Sequence, residues 1–310
     1  MRAVCMGAHV LDVLVRPVDQ VPEGQGGVLV EQIRLAPAGA AGGTAVTLAK
    51  LGAEVHSAGG VGEDLLGETL VRMLEERGVD CSALVRRTEV QTSASVLPIR
   101  ENGDRPALHV IGANGGYSLD EVPWALIESA DNLHLGGPEF LPEAAPKILE
   151  FCHEHGVTTS ADLLADGWPE LLDMIAPALE HLDWFMPNDD QAIKLTGADD
   201  VEAAATALIE RGVGGVAATC GAEGSVVVTA GETVRVPAFE VEVVDTSGCG
   251  DAYVAGFLRG LALDKPVKES ARLGSACASL VAQGLGSDAG EFDLDAALEF
   301  ASSGRPLATR

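Results

Sequence analysis

Aromatic residues are scarce in this chain. They make up 4% of its 310 residues, although 47% are hydrophobic. A core of that size is built mainly from aliphatic side chains, and the length allows one large domain or two. Basic residues are scarce as well: 20 Lys and Arg stand against 47 Asp and Glu, a formal charge of −27. Such a field repels nucleic acid and anionic membranes, so neither is expected as a partner. It does not exclude a nucleotide, because helix N-termini and Mg²⁺ act locally. The acidity suits either a salty cytoplasm or simple solubility, and activity retained in molar KCl would mark the first. Cysteines are few and scattered, at positions 5, 81, 152, 220, 249 and 277. With no close pair, neither a zinc cluster nor a disulfide framework is indicated, and free thiols in a reducing cytoplasm are expected. The N-terminal MRAVCMGAHVLDVLV has no sustained apolar run behind a basic segment, and reads as a first strand rather than a signal peptide or membrane span.

What the chain does have is alternation and glycine. Residues 3 to 6 form a short apolar run ending at Gly7. Residues 10 to 35 alternate in apolar character through Val28, Val30, Ile33 and Leu35, which suits a sheet with one exposed face. A second alternating stretch, TSASVLPIRENGDRPALHVI, carries ENGD as its hairpin turn. From about residue 115, helical patterns alternate with strand candidates at Asn132–Leu135, Thr158–Ala161, Trp184–Met186, Val216–Thr219 and Ser225–Thr229. That order predicts βαβ units and a parallel sheet. The two early alternating stretches do not fit it. They predict a small separate sheet, a discontinuous lid formed by about residues 12–37 and 92–111 on a single α/β domain spanning 1–310.

The segment DTSGCGDAY, residues 245–253, precedes AYVAGFLRGLAL, whose Val254, Phe257, Leu258 and Leu261 recur at helical spacing. Gly248, Cys249 and Gly250 therefore fall where a helix begins, and Asp251 in its first turn. The first N–H groups of a helix lack intrahelical partners and face the positive dipole end. Glycines let an anion approach them, and a carboxylate beside it can take a proton. The plainer reading of this short pattern is a helix cap. A helix N-terminus also lowers a thiol pKa, but no His stands near Cys249 in sequence to make it a nucleophile. Gly39-Ala-Ala-Gly42-Gly43 before a helix suggests a dinucleotide turn, yet the following strand, AEVHSAGG, ends without the acid that would hold a ribose. A packing turn is the alternative. Asp12 lies in HVLDVLV, where a buried carboxylate would want hydroxyl partners such as those of a sugar, and an exposed one would simply face water.

Taken in order, these segments resemble the ribokinase/pfkB family of sugar kinases. DTSGCGDAY resembles its carboxy-terminal signature, with Tyr253 in place of the usual Phe. AGGTAVTLAKLGAEVHSAGGVGEDLLGE resembles the amino-terminal signature, MPNDDQAIKLTG the middle motif, and ATCGAEGSVVV the nucleotide-loop strand; GAN at 112–114 also recurs in such kinases. The resemblance covers nearly the whole chain. It implies a ribokinase-like three-layer sandwich, with a central mostly parallel sheet flanked by helices and a small β-sheet lid. It implies ATP-dependent phosphorylation of a primary hydroxyl on a small sugar. Asp251 would be the general base, and the N–H groups of Gly248, Cys249 and Gly250 the anion hole. Asp12, Gly42, Gly43, His109 and Asn114 would hold the substrate, and Asn188, Thr219, Gly221, Gly224 and Thr246 the ATP. Mg²⁺ would arrive on the ATP phosphates, and Asp245 and Ser247 would form one side of a K⁺ site completed by the loop around 281–287. Two departures stand out. Gly43 occupies the place of a substrate-gripping Asn, and the usual N-x-x-E reads Asn188-Asp-Asp-Gln191, with Asp190 as a substitute acid. The first glycine loop lacks a lysine to grip a phosphosugar, whereas Arg100 or Arg105 would suit a keto-acid sugar unless both are solvated turn residues. A nucleoside substrate, or a non-catalytic sensor on the same fold, are the alternatives. Pairing of two copies through the lid sheets is the expected assembly.

Overall fold

A computed structural model describes residues 1–101 and 104–307. Among these residues thirteen strands occur: β1 (Arg2–Gly7), β2 (Val10–Arg16), β3 (Gln32–Ala38), β4 (Glu54–Gly62), β5 (Val79–Arg87), β6 (Ala94–Pro98), β7 (Leu108–Val110), β8 (Asn132–Gly136), β9 (Thr158–Asp162), β10 (Trp184–Phe185), β11 (Gly215–Thr219), β12 (Ser225–Thr229) and β13 (Thr233–Val236). Nine of them form one sheet in the order β13-β12-β11-β10-β9-β8-β1-β4-β5. The pairs from β11 to β5 run parallel, and β12 and β13 close one edge antiparallel. The five strand candidates from residue 132 onward are all present, with ends shifted by at most one residue.

The central strand shows why its sequence reads as a continuous apolar run. A strand between two helical layers must be apolar on both faces. In β1, Val4 and Met6 pack into one core cluster with Ile127, Leu133 and Ile148. Ala3 and Cys5 point the other way, against Ala41, Ala45 and Leu48 of the helix Ala40–Lys50. Register aligns Gly7 of β1 with Gly136 of β8, and Gly136 with Asp162 of β9. The carboxyl ends of these strands therefore come level, at the edge where open α/β sheets bind ligands.

The remaining strands make a second sheet, β3-β2-β6-β7. Its two faces differ. Val13 pairs with Leu35 and Val96, Val15 with Ile33, and Val96 with Leu108. On that face Ile33, Leu35, Val96 and Leu108 are 66, 41, 42 and 68% exposed. The opposite face carries Asp12, Ala36 and Ser95, in register with one another and all buried. Part of the early alternation does not form strand. Val28 lies in an irregular exposed segment between β2 and β3, and Val30 beside it is also outside any strand. Alternation over so few residues carries little energy without a partner strand to pair with. Asn102 and Gly103 of the expected ENGD turn lie outside the described residues. Among the described residues no helix is long and apolar enough to cross a membrane.

Candidate active site

The helix Cys249–Leu261 opens from Gly248, whose φ of 75° is left-handed. Glycine is required there twice over. The conformation disfavours a side chain, and a Cβ would lie 2.2 Å from Ser287 Cβ. A Cβ at Gly250 would meet nothing within 4 Å, so the backbone is open at that point. The Cys249 N–H donates to Thr246 O at 3.3 Å, a long bond within its own turn. An anion would have to draw it off that carbonyl. Burial pushes the Cys249 thiol up to about 12, with Asp245 and Asp251 adding to the shift and Arg105 opposing it, which argues against a nucleophilic thiolate.

Asp251 sits in the first turn of this helix, half-buried, and its carboxylate packs against Gly43. A Cβ on Gly43 would lie 2.0 Å from Asp251 Oδ2. Position 43 lacks a side chain because Asp251 occupies that space. Burial raises Asp251 well above the usual carboxylate range, and the neighbouring Asp162 and Asp12 carboxylates raise it further, while Arg105 pulls it down.

Asp12 approaches from the second sheet. It is buried, settling the ambiguity left by strand alternation. Burial lifts its carboxyl to about 6, opposed by a hydrogen bond with Ser95 and by Arg105. Ser95 Oγ in turn lies 3.0 Å from His109 Nδ1, so His109 joins Asp12 through one hydroxyl. Asn114 accepts a bond from the His9 N–H at 3.0 Å, and His9 lies within 3.5 Å of where a Gly42 Cβ would be. Asp12, Gly42, Gly43, Asn114 and Asp251 thus border one region, with His109 at its side.

The nucleotide-loop residues form a second group. Asn188, after β10, bridges Thr219 at the end of β11, and the turn continues through Gly221 (φ 53°) and Gly224 (φ 93°). A Cβ at Gly224 would strike Val236 O at 2.0 Å. Gln191 explains its own departure from Glu. Its Oε1 accepts from Asn188 N–H at 2.9 Å, and its Nε2 donates to Leu163 O and Ala165 O at 3.3 and 2.8 Å. That buried amide uses both ends within the protein. Asp190 is exposed and pairs with Lys194.

Asp245 is fully buried. Its Oδ1 accepts from Ser247 N–H and Oγ–H at 3.0 and 2.9 Å, and its Oδ2 from Gly286 N–H at 2.9 Å. Thr246 Oγ1 accepts from Arg105 Nε at 3.2 Å. Arg105, although exposed, is therefore drawn to the start of the helix Cys249–Leu261, whereas Arg100 pairs with Asp104 at 3.5 Å.

Two acids have no counterpart in the sequence reading. Glu139, after β8, is buried with Oε1 accepting from Leu164 and Ala165 N–H at 2.8 and 2.9 Å. Burial raises it to about 7, and Asp162 adds to the rise. Asp162 ends β9, with Oδ1 at 3.3 Å from His134 Nε2. Both lie at strand carboxyl ends, and that position was the one available signal.

A family model described as pfkB family carbohydrate kinase matches residues 1–292. The chain belongs to this family. The kinase is 32% identical over 285 residues to an ATP-dependent ribose-1-phosphate kinase of Halopiger xanaduensis, covering 91% of this chain and 92% of that one. It is 28% identical to a ribokinase of Bacillus subtilis, over 94% of this chain and 96% of the relative. In fold it resembles an Arabidopsis thaliana ribokinase solved with ribose and ATP, at a TM-score of 0.84 and 22% identity, covering 97 and 98% of the two chains. An E. coli protein described as a putative ribokinase II, solved with ATP and Mg²⁺, gives the same TM-score at 22% identity, covering 97 and 99%. The kinase is a phosphotransferase with the ribokinase fold.

Proposed function

We propose that the kinase transfers the γ-phosphoryl group of ATP to a primary hydroxyl of a pentose-sized sugar. The observation that carries this is Asp251: a half-buried carboxylate in the first turn of a helix that opens from a left-handed glycine, with Asp12 beside it. Asp251 takes the proton of the attacking hydroxyl as the new O–P bond forms and the bond to ADP breaks. A carboxyl raised toward the working pH is the better proton acceptor. The backbone from Gly248 to Gly250, open at Gly250, faces the transferring group, where positioned N–H donors stabilise the charge. Asp12, Gly42, Gly43 and Asn114, with His109 through Ser95, border the sugar's place. The turn from Thr219 to Gly224, with Asn188, holds the nucleotide, and Thr246 lies between the two. Mg²⁺ would be held by the ATP phosphates, where it would screen their charge. Gln191 and Asp190, whose polar atoms are engaged elsewhere, do not hold it. ADP release on a panel of sugars, with Asp251→Asn beside the parent, tests the assignment.

A second reading is favoured by Arg105. It brings a guanidinium to Thr246, close enough to stabilise both Asp12 and Asp251 as anions. That cation suits a sugar already carrying a phosphate, the substrate class named by the Halopiger relative. Comparing kcat/KM on ribose and ribose 1-phosphate decides between them. We also propose that the second sheet acts as a lid within a single domain, and that a second copy of the kinase covers its apolar outer face.

A further inference from the structure

The resemblance to sugar kinases implies a monovalent cation held by Asp245, Ser247 and the loop that follows residue 281. The side chains present do not fit an added ion. Both Asp245 oxygens already accept from protein donors, and Ser247 Oγ is one of them. The loop carbonyls are occupied by side-chain cations. Lys50 Nζ lies 2.8, 2.8 and 2.6 Å from the carbonyl oxygens of Asp288, Ala289 and Gly290. Arg34 Nη1 donates to Leu285 O. Gly286, which donates to Asp245, has its Cβ place within 2.7 Å of the same Arg34 nitrogen. Two cations meet one buried carboxylate here: Arg34 is 2.9 and 3.0 Å from the two Asp288 oxygens, and Arg77 pairs with the second. In a chain with only 20 basic residues this surplus of positive charge is concentrated on one loop. An ammonium among three carbonyls does what K⁺ does in an oxygen cage.

The loop matters to the reaction centre. Ser287 is packed under Gly248, and its Oγ donates to Pro37 O at 2.6 Å. Lys50 ends the same helix whose Gly43 receives the Asp251 carboxylate. The loop therefore touches both the helix opening, through Ser287, and the helix that carries Gly43, through Lys50.

We propose that the kinase carries its monovalent cation built in: Lys50 and Arg34 supply the positive charge and carbonyl contacts of the 285–290 loop, and the kinase needs no added K⁺. The proposal rests on the reading of Gly248–Asp251 as the reaction centre. The test compares KCl, ammonium chloride and choline chloride at one ionic strength, first by thermal melting and then by turnover. For the parent, melting in KCl and in choline should agree within about 1 °C, and turnover within about twofold. A K⁺-specific rise of about 5 °C or more, the size a well-occupied site gives, would overturn the proposal, as would tenfold activation by K⁺. Lys50→Met removes the ammonium from three carbonyls. The variant should melt lower and regain stability in K⁺ or ammonium but not in choline. A folded Lys50→Met that ignores all three ions would contradict the assignment of Lys50. If it does not fold, Arg34→Met is read the same way, and the parent comparison stands regardless. Melting needs no substrate, so a wrong assignment of the reaction shows separately, as no ADP release from any sugar.

Discussion

Replacing Gly43 with alanine perturbs the proposed base without touching it. The added Cβ would stand 2.0 Å from Asp251 Oδ2 and 2.7 Å from its Cγ. The carboxylate must retreat by about 1.4 Å to reach ordinary contact. Its room to do so is limited, because Asp251 is half-buried and anchored in the first turn of its helix. A misplacement of about 1 Å at a reacting group costs on the order of 10²-fold. We therefore expect Gly43→Ala to lower kcat roughly 10²-fold on any substrate the parent turns over, approaching the 10²–10⁴-fold expected when a general base is removed. Overpacking should cost no more than about 1–3 kcal/mol, so the variant should stay folded. Gly42→Ala is the companion: its Cβ meets only His9, at 3.5 and 3.8 Å, and the loss should be smaller. The assay is coupled ADP release, with urea melts of each variant. A folded Gly43→Ala within about threefold of the parent in kcat would refute the placement of Asp251 as base.

Activity and stability should move in opposite directions with pH. Asp12 is raised to about 6 in the folded state, so between its unfolded value near 4 and about 6 the folded chain binds more protons. Its contribution to stability is present at low pH and lost as pH rises through 6, while turnover, which needs the anion, should rise over the same window; pH profiles of melting and of kcat/KM check both. Gln191→Glu should destabilise the kinase by about 1–3 kcal/mol in urea melts, because a carboxylate would face Leu163 O and Ala165 O where the amide now donates. Its Mg²⁺ requirement should not change. Leu108→Asp and Ile33→Asp place charge on the exposed face of the second sheet, and light scattering should show each variant shifted toward monomer relative to the parent.

The long-range order of the fold was legible because its strands are buried on both faces. Val4, Met6, Leu133 and Leu135 have no polar alternative reading, and Ser225–Thr229 was placed to the residue. Val28 and Val30 misled because a two-residue period is cheap to produce by chance and neither finds a partner strand. The proposed reaction centre was legible where glycine marks it. Gly248 is required by its left-handed backbone and by Ser287, and Gly43 by Asp251, so the motif and the geometry state the same constraint. Gly43 itself could be read from sequence only as a missing Asn, since the carboxylate that fills its space is more than 200 positions away. Glu139 escaped for a related reason, and Arg105 could be named only as one of two turn arginines. A lone acid in GGPEF and a lone base in NGDRP look like turn residues until the sheet brings their neighbours together. The three cations on the 285–290 loop come from β3, from one helix end and from the segment after another, with no spacing that links them.

The account stands or falls on Asp251. Asp251→Asn keeps the shape of the side chain and removes its capacity to accept a proton. The measurement is ADP release on a turned-over sugar, with calorimetric binding of the same sugar and of an ATP analogue in parallel. The account predicts that kcat falls by roughly 10²–10⁴-fold while both ligands still bind. Turnover by the folded variant at a rate near the parent's would contradict it.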